Sequence, residues 1–188
     1  MKSATKNLEN DHVYILRLID VMETVTYDDS PNINDLETIV YLIKNYADGF
    51  HHEKEEHLLF PMMGQKGFSP YQGPVAVMLN EHTQGRDYVK GMVEGIDLFK
   101  NGDQQAISTI YTNMRGYISL LRNHISKENN VLFRMADNVL SDTEQEELLK
   151  EFSKVENSNV CGSVLTGYIA SIEALERTYL AHITNSNN

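Results

Sequence analysis

The sequence has one cysteine, Cys161, no tryptophan and only four prolines. A single thiol excludes an intramolecular disulfide framework and a thiolate zinc site. No run of about 18 apolar residues occurs, so no membrane span is expected. Met1 to Asn7 lead into no apolar stretch, which predicts a chain without a signal peptide, hence a cytoplasmic one. Cationic residues are also scarce: 16 Lys and Arg face 27 Asp and Glu, for a formal net charge of −11. That balance argues against nucleic acid or an anionic membrane as partner. No segment alternates apolar and polar residues as a half-buried strand would.

What is present is helical periodicity. Apolar residues recur every three to four positions in four long stretches, about 4–26, 33–62, 74–100 and 104–137. The prolines at 31, 61, 70 and 74 are expected where these patterns start or stop. Ser141-x-x-Glu144 is a capping box that opens a shorter helix to about 155, and a last amphipathic stretch runs from about 164 to 183. Four long helices with short loops predict an all-α, up-down antiparallel four-helix bundle over about 4–137 with a C-terminal helical extension over about 141–183, in one domain of 188 residues. Gly85, Gly91 and Gly95 weaken the third helix by propensity. They are either exposed or mark a close approach of a neighbouring helix.

Each apolar stripe has a polar fault: His12, His51 with Glu55, His82, and His124 with Glu128. A lone histidine on an apolar face is usually hydrogen-bonded core. One fault per helix, two of them paired with glutamate at i+4, is a different matter, because a buried carboxylate costs several kcal/mol unless a cation or partner offsets it. The stretch 51–61 offers two such pairs, His51/Glu55 and His52/Glu56. An internal repeat chooses between them. His12 precedes His51 by 39 positions, His82 precedes His124 by 42, and residues 51–60 lie over 124–133 without a gap. In that register His51/Glu55 matches His124/Glu128. His52, His57 and Glu56 are then expected on the helix surface, with support of a ligand as the alternative role, and Glu81 is a candidate to bond a ligating imidazole across the bundle. Tyr14, Tyr88, Tyr111 and Tyr117 are expected in the core.

Four imidazoles and two carboxylates without thiolate suit iron, manganese or zinc. Two carboxylates can bridge two metals, giving each ion two nitrogens and a share of both glutamates. Octahedral ions would keep room for an oxo or hydroxo bridge and an exchangeable position, which fits small ligands such as O2, NO or peroxide. Ferritin-like di-iron bundles use two Glu-x-x-His motifs; here Glu9-x-x-His12 stands alone, and that class is set aside.

These residues resemble the hemerythrin-like, HHE cation-binding family. The resemblance covers about 5–137 and rests on His12 in Leu8-Glu-Asn-Asp-His12, on His51-x-x-Lys-Glu55-Glu-x-Leu-Leu-Phe-Pro61, on Glu81-His82, and on His124-Ile-x-Lys-Glu128-Asn-Asn-Val-Leu-Phe. Gly73-Pro74 to His82 and the Glu128-Asn-Asn-Val-Leu-Phe run are most similar to the hemerythrin-like domain of Ric-type di-iron proteins, associated with repair of iron–sulfur centres. The resemblance implies two iron ions, with His12, His51, His82 and His124 as terminal ligands and Glu55 and Glu128 as bridges. It implies a diatomic or peroxide ligand and an iron–sulfur protein or redox partner, with an iron-sensing or iron-storing module as the alternative. Oxygen carriers of the family have a second histidine one turn after the third-helix histidine. Here that residue is Arg86, so simple oxygen carriage is not expected. Ric-type proteins also carry a cysteine-bearing N-terminal domain, whereas this sequence has no cysteine before 161. Repair that needs such a domain would draw it from a partner.

Overall fold

A computed structural model describes residues 3–158 and 163–181. Cys161 and His182 lie outside the described residues. Four long helices form the bundle: α1 (Ala4–Val25), α2 (33–65), α3 (Pro74–Lys100) and α4 (106–139). The extension supplies α5 (Asp142–Ser158) and α6 (Ser163–Tyr179). The described residues contain no strand, and no helix among them is long and apolar enough to cross a membrane.

Local chemistry sets the boundaries. Ser3 caps α1 by accepting from Lys6 N, and Asn32 caps α2 by accepting from Asn34 N. Gly73 has φ 77° and Pro74 follows in the first turn of α3, where its missing N–H has no intrahelical partner to lose. The capping box closes α5 reciprocally: Ser141 N donates to Glu144 Oε2 at 2.8 Å, and Glu144 N to Ser141 Oγ at 3.4 Å. α6 lies on α1 through a bidentate Arg17–Glu176 pair at 2.7 and 2.5 Å, and on α2 through Tyr179 Oη to Asp35 at 2.7 Å.

Two features depart from simple 3.6-residue periodicity. Residues Ile43–His52 and Glu55–Leu59 of α2, and Glu128–Leu132 of α4, are π-helical. The second and third of these turns occupy matching places in the repeat. In both, the carbonyl of the glutamate accepts from the N–H five residues on: Glu55 from Phe60, Glu128 from Phe133. Pro61 therefore does not end α2. It sits just past the π turn, and the helix runs on to Gln65.

The core is split in two. One apolar cluster holds Ile15, Ile19, Phe50, Val89, Leu121 and Ile125; the other holds Leu8, Leu59, Phe60, Met78, Leu132 and Phe133. The polar faults of all four stripes fall in the layer between them. Close approach, rather than exposure, explains Gly91 and Gly95 of α3, while Gly85 is buried with only ordinary contact to Tyr117. A Cβ at Gly95 would lie 2.7 Å from Ile110 Cγ1 and 3.3 Å from the Ile110 backbone nitrogen, and one at Gly91 would collide with Asn113. Gly95→Ala gains about 1 kcal/mol of helix propensity but overpacks α3 against α4. A net loss of about 1–2 kcal/mol is expected in chemical denaturation, and a stabilised variant would contradict the close approach.

Candidate metal centre

His12, His51, Glu55, His82, His124 and Glu128 meet in the polar layer, each at most 2 % exposed. The imidazoles pair: His12 Nε2 lies 2.9 Å from His51 Nε2, and His82 Nε2 lies 3.1 Å from His124 Nε2. Each glutamate spans both pairs. Glu55 Oε1 is 3.6 Å from His51 Nε2, and its Oε2 is 3.4 Å from His82 Nε2. Glu128 Oε2 is 3.2 Å from His12 Nε2, and its Oε1 is 3.3 Å from His124 Nε2. Two donor sets result, each with two imidazoles and one oxygen from each carboxylate.

The far side of every ring is held. His12 Nδ1 donates to Asn129 Oδ1 at 2.8 Å, His51 Nδ1 to Asp11 Oδ2 at 3.2 Å, His82 Nδ1 to Glu56 Oε1 at 2.6 Å, and His124 Nδ1 to Glu81 Oε2 at 3.0 Å. These acceptors fix the orientation of each ring and leave its Nε2 pointing inward. The repeat extends into this outer layer. Asp11 and Glu81 are 70 apart, as His12 and His82 are; Glu56 and Asn129 are 73 apart, as Glu55 and Glu128 are. Lys54 bonds Asp11, and its repeat partner Lys127 bonds Glu81.

Some residues sit where the sequence does not predict. His52 is buried, at 6 % exposed, with its ring 3.8 Å from that of His82. The expectation of a surface position fails because α2 is π-helical there, and His52 enters the groove between α2 and α3. Glu56, expected exposed, is drawn in by His82 and Arg86. Glu81 bonds the imidazole of His124. His57 is exposed as expected, its side chain 65 % accessible. Tyr117 is core, and it lines a cavity of about 360 Å³ that also reaches His52, His82, His124, Val89, Val93 and Leu121. The sequence reading gives Asp11, Lys54 and Asn129 no supporting role, although the 70- and 73-residue offsets relate them to Glu81, Lys127 and Glu56.

The residues fit a cation. All four carboxylate oxygens of Glu55 and Glu128 are buried without a hydrogen-bond partner, which is costly unless positive charge is close by. Burial, then the neighbouring Glu128, push the Glu55 carboxyl up to about 7. Burial opposes a charge on His124, but Glu128 and Glu81 overcome it and raise the imidazole to about 10. Glu128 is held well below the usual range by His124 and His12 despite its burial. Burial, and then nearby imidazoles, keep His51 and His52 neutral. A cation must therefore displace protons from Glu55 and His124. Its affinity should fall on acidification, by about tenfold per pH unit for each proton displaced. Chelator competition at pH 6 and pH 8 measures this, and equal affinities would contradict it.

A four-helix bundle with two histidine–carboxylate donor sets in one buried layer defines a class of cation-binding helical proteins. The match that fills this frame is to the Hemerythrin HHE cation binding domain over residues 3–136, and the chain belongs to that family. It is 37% identical over 89 residues to the iron-sulfur cluster repair protein YtfE of Pectobacterium carotovorum, a stretch covering 46% of this chain and 40% of that protein. It is 36% identical over 89 residues to the YtfE of Yersinia pestis, with the same coverage. An uncharacterized protein of Mycobacterium bovis is 22% identical over 159 residues, 82% of this chain and 62% of that one. The chain thus spans less than two thirds of the curated relatives it matches. No solved structure matches it.

Proposed function

We propose that the chain binds two iron ions in the buried layer and uses them to handle or sense O2, NO or peroxide. His12 and His51 would hold one ion, His82 and His124 the other, and Glu55 and Glu128 would bridge them. The observation that carries this reading is the pair of carboxylates with four partnerless oxygens, each spanning the two imidazole pairs. Thiolate is absent from the donor set, which suits iron over softer ions; manganese and zinc could substitute.

Bound iron would supply redox chemistry with a small ligand. The chain's own part is to hold the imidazoles in one tautomer through Asn129, Asp11, Glu56 and Glu81 and to exclude bulk water with the two apolar clusters. The cavity beside His82 and His124 is walled by the apolar Val89, Val93 and Leu121 and also by charged residues, among them Lys44, Arg86 and Glu94, and would give a small ligand room beside the ion held there. The similarity to YtfE proteins extends the proposal to a setting, the repair of iron–sulfur proteins, with such a protein as partner.

The test is optical. Iron-loaded protein is reduced without air and then exposed separately to O2, NO and peroxide. A change in the visible spectrum with at least one of them is expected. Protein that carries two irons and stays silent to all three would overturn the ligand-handling reading.

A further inference from the structure

The cavity beside His82 and His124 is far larger than a diatomic needs. Its volume is about 360 Å³. A water molecule takes about 30 Å³ of liquid, and a dry cavity of about 150 Å³ holds benzene. On that scale the space takes an organic molecule of about 12–15 heavy atoms.

The repeat shows where the space comes from. Gly85 and His52 line it. At offsets of 70 and 73 they correspond to Ile15 and Ile125, both buried in the apolar core. One half of the repeat thus packs isoleucine where the other leaves room at Gly85. A Cβ at Gly85 would lie 3.5 Å from Tyr117 Cε2, an ordinary contact, so helix packing does not demand the glycine.

The polar groups of the cavity are unevenly paired. Tyr117 is 3 % exposed, and its hydroxyl has no hydrogen-bond partner among the described residues. The carboxylates that line the cavity each have a cation: Asp48 has Arg86 at 2.7 Å, Glu94 has Lys90 at 3.9 Å, and Glu81 has Lys127. Lys44 also lines the cavity. It is exposed and has no ion pair among the described residues. A buried hydroxyl and one uncompensated ammonium are therefore left, with apolar wall between.

We propose that this cavity binds an organic carboxylate of apolar body that carries a second oxygen. The body lies against Val89, Val93 and Leu121. The carboxylate pairs with Lys44, and Tyr117 Oη donates to the second oxygen. No metal ion takes part in this recognition, so the inference goes beyond the iron reading and does not rest on it.

The probe is 6-hydroxy-2-naphthoate, titrated by calorimetry into the full chain as isolated. One molecule should bind per chain with a Kd below about 1 mM. Gly85→Leu places a side chain in the cavity and should lose detectable binding. Lys44→Gln should weaken the probe and 2-naphthoate alike, by about 2–5-fold. Tyr117→Phe should weaken the probe by about 2–10-fold and leave 2-naphthoate, which lacks the second oxygen, unchanged. A measurement on the unaltered protein guards against misfolding of the variants: in crystals soaked with 6-bromo-2-naphthoate, the bromine should lie between Val89, Val93 and Tyr117. No binding of the probe by the parent, a bromine found elsewhere, or a folded Gly85→Leu that binds as the parent does would overturn the proposal. None of these results depends on how many irons the chain holds or on what they react with.

Discussion

Glu55→Gln should make the metal-free protein more stable and the metal-bound protein less so. The two signs share one cause. Glu55 is fully buried and its oxygens lack hydrogen-bond partners. Burial and the Glu128 charge raise its folded-state pKa to about 7 from an ordinary 4.5. A carboxyl raised on folding penalises the folded state above its folded pKa, and the penalty vanishes below the unfolded value. At pH 8 the penalty is nearly fully present, on the order of 3 kcal/mol. The amide removes that charge at nearly constant volume, so the metal-free melting temperature should rise by about 5–10 °C at pH 8. At pH 4 the difference should largely disappear. With metal the balance reverses, because the amide replaces a carboxylate shared by both donor sets. The rise in melting temperature that metal confers by mass action should be mostly lost. Thermal melts of both forms, with and without Fe(II), measure this. A metal-free variant less stable than the parent at pH 8 would mean that Glu55 has a compensating partner other than a cation.

The second large effect is expected at Lys54. Its side chain is completely buried, and its ammonium donates to Asp11 Oδ2 at 2.6 Å, Asn7 Oδ1 at 2.8 Å and Glu156 Oε1 at 3.3 Å. It also lies 4.4 Å above the Phe50 ring. Three elements meet there: α1 through Asn7 and Asp11, α2 through Lys54, and α5 through Glu156. Asp11 in turn holds His51. Burial raises the Asp11 pKa, and Lys54 is the main opposing charge. Lys54→Met therefore strands a buried carboxylate, loosens α5 and frees the His51 ring. Breaking such a pair costs about 3–5 kcal/mol, or a fall in melting temperature of about 10 °C or more. Adding Asp11→Asn should recover much of the loss, because the stranded charge goes with it. A loss under about 1 kcal/mol, the range of exposed pairs, would contradict this account of how the extension is docked.

Legibility in the sequence followed the physics of each feature. The stripes and their polar faults mark the helices and the six-residue layer, because a 3.6-residue period and an i+4 His–Glu pair are local properties. The gap-free overlay of 51–60 on 124–133 identifies the paired halves. The π turns are less legible. Nothing in the composition of Glu55–Leu59 or Glu128–Leu132 announces i+5 bonding, yet that winding lets Pro61 lie inside a helix. The 100° step that turns His52 toward solvent holds only for a regular α-helix, and the π winding of Ile43–His52 voids it. The outer layer of Asp11, Glu56 and Asn129 depends on which helices are neighbours, which a single stripe does not encode. The repeat encodes part of it, since the offsets that relate the histidines also relate their supporting partners.

Under the proposed function the buried layer holds two ions between four imidazoles and two shared carboxylates. Anaerobic titration of the metal-free full chain with Fe(II), followed by metal analysis after removal of unbound ion, tests it most directly. Two irons per chain are predicted for the parent, and loss of both on replacing Glu55 and Glu128 together. No iron retained, one iron at saturation, or two irons that survive the double replacement would contradict it.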